Sequence, residues 1–344
     1  MRLCLVFAIF ASAVAQDSGS CEDSALVQFK RKQSLRPSTA LPQFNPVALA
    51  ATAKRETPQL QCTDAEPQSP RDVTPGFRGG QEARVKPLDG DATPRFIQAN
   101  IHFHLGAEHR SAVPNGYSKT PDEVGFTEPL VRPENASDIR AGYFCDLDNI
   151  SNTDLQNYSF SFCKGVQVGY TYEFHWVFST GAPLIGLRDE GGEGILGISD
   201  GLGGALNRTV NPKIIVRGQV CRIIYNQSLT DVDADYNDFV HRWRQPAFGN
   251  AVRYIGSTTG TDFNNSVCSP LEVNWHVDMN CCTLSAQTFD RLCEEMAGEG
   301  LDKDLAPKPS RELVSREISA AVAFPLYPSP LPPAPVPTST STPR

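Results

Sequence analysis

Residues 93–296 are expected to fold as one mainly β domain. Three observations point there. The apolar residues come in short runs rich in Val, Ile, Phe and Tyr: FIQANIHFHL, GYTYEFHWVFS, KIIVRGQVCRIIYN and LEVNWHV. Loops rich in Gly, Asn, Asp and Pro separate them, the pattern of strands joined by turns. A helical stripe is read in one stretch only, SAQTFDRLCEEM, where Ser285 is placed to cap and Phe289, Leu292 and Met296 share a face. About 200 residues suffice for one sizeable core.

The segments outside this domain read differently. Residues 1–15, MRLCLVFAIFASAVA, carry Arg2, a short apolar run and an Ala13-Val14-Ala15 ending. That is the build of a cleaved secretory signal, too short for a membrane span. No other apolar run is long enough to cross a bilayer, so no transmembrane segment is expected in the mature chain. Residues 16–92 are rich in Pro, Ser, Gln and charge and are expected to be a propeptide or linker of low complexity. Between Leu26 and Arg55 stand six Lys/Arg and no Asp/Glu, which also suits a transit-like segment behind the signal. Residues 297–344 end in FPLYPSPLPPAPVPTSTSTPR and are expected to be a disordered polyproline-type tail. The DVDADYND stretch (231–238) is read as a solvated acidic loop. An EF-hand would need glycine where Tyr236 stands and a bidentate Glu where Arg242 stands.

Ten cysteines are present, nine once Cys4 leaves with the signal, and six Asn-X-Ser/Thr sites lie at Asn135, Asn149, Asn157, Asn207, Asn226 and Asn264. Disulfides and glycans are therefore expected, in a protein that has passed an oxidising compartment. Cys145 with Cys163 is the pairing the spacing suggests, the adjacent Cys281 and Cys282 do not easily pair with each other, and the odd count leaves one thiol over. The net charge of −8 argues against nucleic acid, which needs a basic face. Secretion to the cell surface or periplasmic space is expected, or delivery to a plastid through the secretory route.

The chemistry concentrates in NIHFHLGAEHRS, residues 100–111, which holds three of the six histidines. On a strand His102 and His104 face the same way, and Phe103 the other. His175 in YEFHWV is the candidate third ligand, with Glu173 on its own side of the strand. Three neutral imidazoles and an open fourth position make a catalytic zinc site.

IHFHLGAEH, YTYEFHWVFS, YIGSTTGT and CSPLEVNWHV together resemble the carbonic anhydrases, closely the delta class of marine diatoms and dinoflagellates and more distantly the alpha class. The resemblance runs from Phe96 to about Ala297. It implies a large, mostly antiparallel central sheet with few short helices, and zinc-dependent reversible hydration of carbon dioxide to bicarbonate and a proton. It implies zinc on His102, His104 and His175, with cobalt or cadmium as substitutes. It implies that Asn100 holds the first ligand, that Glu173 holds the third, and that His109 and Tyr254 back Glu173. Glu108 would accept from the hydroxyl of Thr259, or of Thr258 if the alignment takes a one-residue gap, and that threonine would aim the attacking oxygen. Val177 and Trp275 would form the apolar wall beside which carbon dioxide waits. The small-molecule substrate is the one partner implied. No histidine matches the alpha-class proton shuttle: His241 stays unassigned, and His276 reads as a packed or edge histidine. The seventy residues between His104 and His175 exceed the alpha-class gap.

Two other readings compete. His102, His104 and Glu108 also fit a first cupin motif, although His175 lacks the preceding Pro-X-Gly turn. An inactive anhydrase-like binding module is the non-enzymatic reading, against which stand three intact histidines.

Overall fold

The computed structural model describes residues 62, 65–69, 72–125, 139–140, 142–146, 150–180, 212–247, 249–258, 263, 267–311 and 314–325. All of them fall in one unit, 57–344. The signal peptide, the basic Leu26–Arg55 segment and the Pro-rich end lie outside the described residues, as do Asn135, Asn149, Asn207 and Asn264.

Short β2 (Ile139–Arg140) and β7 (Ser310–Arg311) pair with each other. The main strands are β1 (Ile97–Leu105), β3 (Thr171–Ser179), β4 (Ile214–Ile224), β5 (Ala251–Gly256) and β6 (Val273–Ser285), with short β8 (Phe324–Pro325). They form one six-stranded sheet in the order β1-β3-β4-β6-β5-β8. Only β4 and β6 run parallel; the other pairs are antiparallel. The expected mostly antiparallel central sheet is therefore present. The four apolar runs quoted above supply β1, β3, β4 and β6.

Every residue of β3 is buried, so the sheet is covered on both faces. One face carries Phe103, Phe174, Trp176 and Phe178, packed beneath the two helices α1 (Val232–Arg244) and α2 (Ala286–Gly298). Phe289 of α2 meets Phe103 and Phe174 with ring centroids 4.8 Å apart, and Trp243 of α1 stacks on Trp176 at 4.6 Å. The opposite face carries His102, His104 and His175.

Helix α2 begins where its cap was expected: Ser285 Oγ accepts from the Thr288 N–H. Helix α1 corrects the loop reading of DVDADYND. Asp231 caps it by accepting from Ala234 N–H, and Asp233 and Asp235 fill its acid-favouring first turn. Tyr236, Phe239, Val240 and Trp243 are its buried stripe. At its far end the buried Arg217 of β4 donates to the carbonyls of Trp243 and Gln245, bonding a cation to the last carbonyls of the helix.

Both outer boundaries also move outward. In the stretch read as linker, Val73 is buried and Gln68 pairs with Ser319. In the stretch read as tail, Ile318 is buried, and Lys308 runs along the open edge of β1: Lys308 N–H donates to Phe103 O (2.8 Å) and Leu105 N–H to Lys308 O (3.1 Å). Polar composition hid these segments because they use backbone bonds at a sheet edge rather than apolar stripes.

Four disulfides join Cys62–Cys268, Cys145–Cys281, Cys163–Cys293 and Cys221–Cys282. The Cys145–Cys163 pairing is thereby corrected: the two bracket one loop, but β6 and α2 each present a partner to one of them. Cys281 and Cys282 pair elsewhere, since successive strand residues face opposite sides. The ninth cysteine, Cys21, lies outside the described residues.

Candidate metal centre

Strand register assembles the site. His102 of β1 stands opposite His175 of β3, and His104 opposite Glu173. Residues directly opposite across an antiparallel pair point to the same face, so all four side chains converge. The three rings lie 4.7–5.3 Å apart by centroid, with one ligand nitrogen from each within 4.8 Å of the others. His104 and His175 are buried and His102 is half-buried.

The ring nitrogens sort into inner and outer. His102 Nδ1 is 2.8 Å from Asn100 Oδ1 and His104 Nδ1 is 3.1 Å from the Pro309 carbonyl. His175 Nε2 lies 3.1 Å from Glu173 Oε1, within reach though not linearly aligned. Each outer nitrogen thus faces an acceptor and carries the proton, which leaves the inner lone pairs of His102 Nε2, His104 Nε2 and His175 Nδ1 for a cation. Two of these, His102 Nε2 and His175 Nδ1, stand 3.3 Å apart. Nitrogens about 2.0–2.1 Å from a shared tetrahedral zinc are separated by about 3.3 Å, so this donor set fits zinc.

Glu173 is the hub behind the ligands. Its Oε1 lies 2.6 Å from His109 Nδ1, and its Oε2 accepts from the backbone N–H groups of Glu108 (2.5 Å) and His109 (3.2 Å). His109 Nε2 in turn lies 2.6 Å from the Tyr254 hydroxyl. With Nδ1–H given to the carboxylate, Nε2 accepts from Tyr254. Burial pushes the Glu173 carboxyl up, but His109 and His175 beside it outweigh burial and hold it well below the usual carboxylate range. Burial holds His102 well below the usual histidine range, helped by the Lys308 ammonium, and brings His104 down to about 4. Both are neutral at physiological pH, as metal ligands must be.

His109, Glu173 and His175 also lie close enough to suggest a cation site. Their atoms are already engaged: both Glu173 oxygens and both His109 nitrogens have the partners just described. That group is a support, not a second site. Glu108 is buried, with Oε2 3.8 Å from His104 Nε2, but among the described residues the ligand cluster does not include it. The cupin arrangement would require it there.

Trp275 sits with its ring 5.0 Å from that of His175 and its Nε1–H on Ser257 O. It shares a buried apolar cluster with Val177 and Tyr254. Thr258 is part-buried just beyond β5, whereas Thr259 lies outside the described residues. His276 is fully buried on β6, with Nε2 3.1 Å from Leu88 O, so it is a packed histidine; His241 is exposed beside Gln245.

Three contributors escaped the sequence reading. Pro309 backs His104 through a backbone carbonyl, to which any residue type could contribute. Gly218 of β4 stands opposite His175, and a Cβ there would come 3.0 Å from Glu173 Oε1. Asp304 accepts from Asn100 Nδ2 at 3.3 Å. A glycine inside an apolar strand was the one available signal, since it marks close approach.

A family model described as delta carbonic anhydrase matches residues 95–288, more than half of the chain. No curated protein matches it in sequence. Among solved structures, the alpha-carbonic anhydrase from Thermovibrio ammonificans in complex with the inhibitor sulfanilamide is 16% identical over 74% of this chain and 90% of that chain. Its TM-score of 0.20 is too low for that likeness to support a conclusion.

Proposed function

Since the chain belongs to the delta carbonic anhydrase family, we propose that it catalyses the reversible hydration of carbon dioxide to bicarbonate and a proton at a zinc ion held by His102, His104 and His175. The observation that carries the reading is the set of three inward nitrogens, two of them 3.3 Å apart, each on a ring whose other nitrogen faces an acceptor. A zinc ion there would supply a water made nucleophilic near neutral pH, its pKa lowered from about 15.7 to about 7; that shift is the established behaviour of carbonic anhydrase rather than something deduced from this geometry.

The protein's residues do the rest. Neutral imidazoles leave the cation's full charge in place, where carboxylate ligands would offset it. Asn100, the Pro309 carbonyl and Glu173 fix which nitrogen of each ring faces the metal. Val177 and Trp275 offer an apolar surface against which an uncharged gas can rest. Glu108, with a threonine at 258 or 259, would hold the attacking oxygen by a directional hydrogen bond. Four disulfides among the described residues support folding in an oxidising compartment and so delivery through the secretory route.

Stopped-flow hydration of carbon dioxide by the zinc-loaded chain tests the reading. Activity is expected in the wild type and none above buffer in His175→Ala; equal activity in both would overturn the assignment. Glu108→Gln separates this site from a cupin. Retained zinc with activity lowered on the order of 100-fold is expected, whereas loss of the metal would make Glu108 a ligand.

A further inference from the structure

We propose that Asp304 is a positioning residue for the metal centre: it fixes the amide of Asn100 so that His102 presents Nε2, and not Nδ1, to the cation. The inference rests on the zinc-centre reading but turns on Asp304 and Lys308, which lie outside the segment 95–288 that the family model matches.

Donors and acceptors alternate along a line of four side chains: Lys308, Asp304, Asn100 and His102. Lys308 Nζ lies 2.7 Å from Asp304 Oδ1. An ammonium only donates, so that oxygen accepts. The other oxygen, Oδ2, faces Asn100 Nδ2 at 3.3 Å. A carboxylate accepts only, so Asn100 must turn its NH2 towards Asp304 and its Oδ1 towards His102. His102 Nδ1, 2.8 Å from that Oδ1, must then carry the proton. The imidazole is neutral, so Nε2 keeps its lone pair and aims it at His175 and the metal position. An amide alone could not impose this. Asn100 turned over would offer NH2 to His102 and put the proton on Nε2, which would block the ligand atom.

Position 304 is suited to the task. Asp304 ends a short 3-10 turn, Asp302–Asp304, and its side chain is mostly shielded. Lys308 is held against β1 by two backbone bonds. The polarity of the line is thus set from outside the sheet, by a segment that also lends the Pro309 carbonyl to His104.

In Asp304→Asn, the new amide oxygen must still accept from Lys308, which turns the new NH2 onto Asn100. Donor would face donor, and Asn100 relieves this by turning over. The tautomer of His102 is therefore expected to invert. The double variant Asn100→Asp with Asp304→Asn exchanges the two groups. Lys308 then donates to the amide oxygen at position 304, the NH2 there donates to the carboxylate at position 100, and that carboxylate accepts from His102 Nδ1. The original tautomer should return.

Long-range proton–nitrogen NMR on the full, zinc-free chain with labelled histidine reads the tautomer, and chelator competition reads zinc affinity. The wild type should show His102 protonated on Nδ1. Asp304→Asn should show Nε2–H and bind zinc on the order of tenfold more weakly, the lower end for a group behind a ligand. The double variant should recover both. An unchanged tautomer and affinity in folded Asp304→Asn, or no recovery in the double variant, would overturn the proposal. If Asp304→Asn does not fold, Asp304→Ser removes the carboxylate with less volume and is judged by the same two readouts. A wild type that takes up no zinc would sink the zinc-centre reading, while the tautomer comparison in the zinc-free chain would still decide the role of Asp304.

Discussion

The two faces of the central sheet are built by the same strands from alternate residues, yet they are held by different physics. Beneath the helices, Phe103, Phe174 and Trp176 touch several rings each. Their stabilisation is the sum of many small, non-directional contacts. On the other face, His102, His104 and His175 each depend on one assigned partner for the outer nitrogen, and Glu173 on a fixed set around its two oxygens. There a single removed atom leaves another buried polar atom unpaired, and the cost is directional. Stability should therefore reside on the aromatic face and metal binding on the histidine face, and damage to one should spare the other.

The largest expected effect breaks the comparison cleanly. His175→Ala removes an inward nitrogen and should abolish stoichiometric zinc on metal analysis, while the fold persists by circular dichroism. Phe174→Ala, its neighbour in sequence but on the opposite face, should cost about 3–5 kcal/mol of unfolding free energy in urea. It should still bind one zinc wherever it remains folded. If Phe174→Ala lost zinc at temperatures where it is folded, or if His175→Ala lost the fold, the two faces would not be separable.

Acid sharpens the comparison, because each face holds a buried neutral histidine. Burial, with Arg217 next, brings His276 on the helix-side face down to about 3, and burial brings His104 on the other face down to about 4. Above about pH 6.5 both are neutral folded and unfolded, and pH has no leverage through them. Below it the unfolded chain takes up the proton and the folded chain does not, so stability falls with pH until each folded value is reached. At pH 5 each group should contribute a loss of about 2 kcal/mol relative to about pH 7.5. Urea titrations of the zinc-free chain at the two pH values would measure it. His276→Leu should reduce the difference by about 2 kcal/mol whatever it does to stability at the higher pH. An unchanged difference would mean that His276 is protonated in the fold.

How much of this was legible in the sequence follows the same division. Strand alternation put His102 with His104 on one face of IHFHL, and Glu173 with His175 on one face of YEFHW, because period two is a property of the backbone. That the two pairs share a face of the sheet follows from the register of β1 against β3. Asn100, Glu173, His109 and Tyr254 came from a resemblance and now lie within hydrogen-bonding reach of the partners it implied. What stayed hidden had no side-chain signature or no local pattern. The Pro309 carbonyl belongs to a segment whose composition reads as tail. Asp304 acts through other side chains across about 200 positions of sequence. Helix α1 hides in the sequence because the acids that start it suit a solvated loop equally well, although Tyr236, Phe239, Val240 and Trp243 form its buried stripe.

The smallest expected effect lies where the faces meet the glycine of β4. Gly218 stands opposite His175, and a methyl group there would come 3.0 Å from Glu173 Oε1 but 3.6 and 3.7 Å from the methyls of Val277. Contact with Val277 is ordinary packing. The carboxylate, however, cannot retreat freely, since two backbone N–H groups and His109 hold it. Replacing glycine also reduces the freedom of the unfolded chain, worth about 0.4–1 kcal/mol in favour of folding. Gly218→Ala should therefore leave the unfolding midpoint nearly unchanged, as this gain offsets the crowding. It should weaken zinc binding by a few-fold, because a Glu173 pushed by a few tenths of an ångström carries His175 with it. Chelator competition beside a thermal melt distinguishes the outcomes. Lost stability with unchanged zinc affinity would show that Gly218 serves packing alone, and the histidine face would then be less tightly coupled than its hydrogen bonds imply.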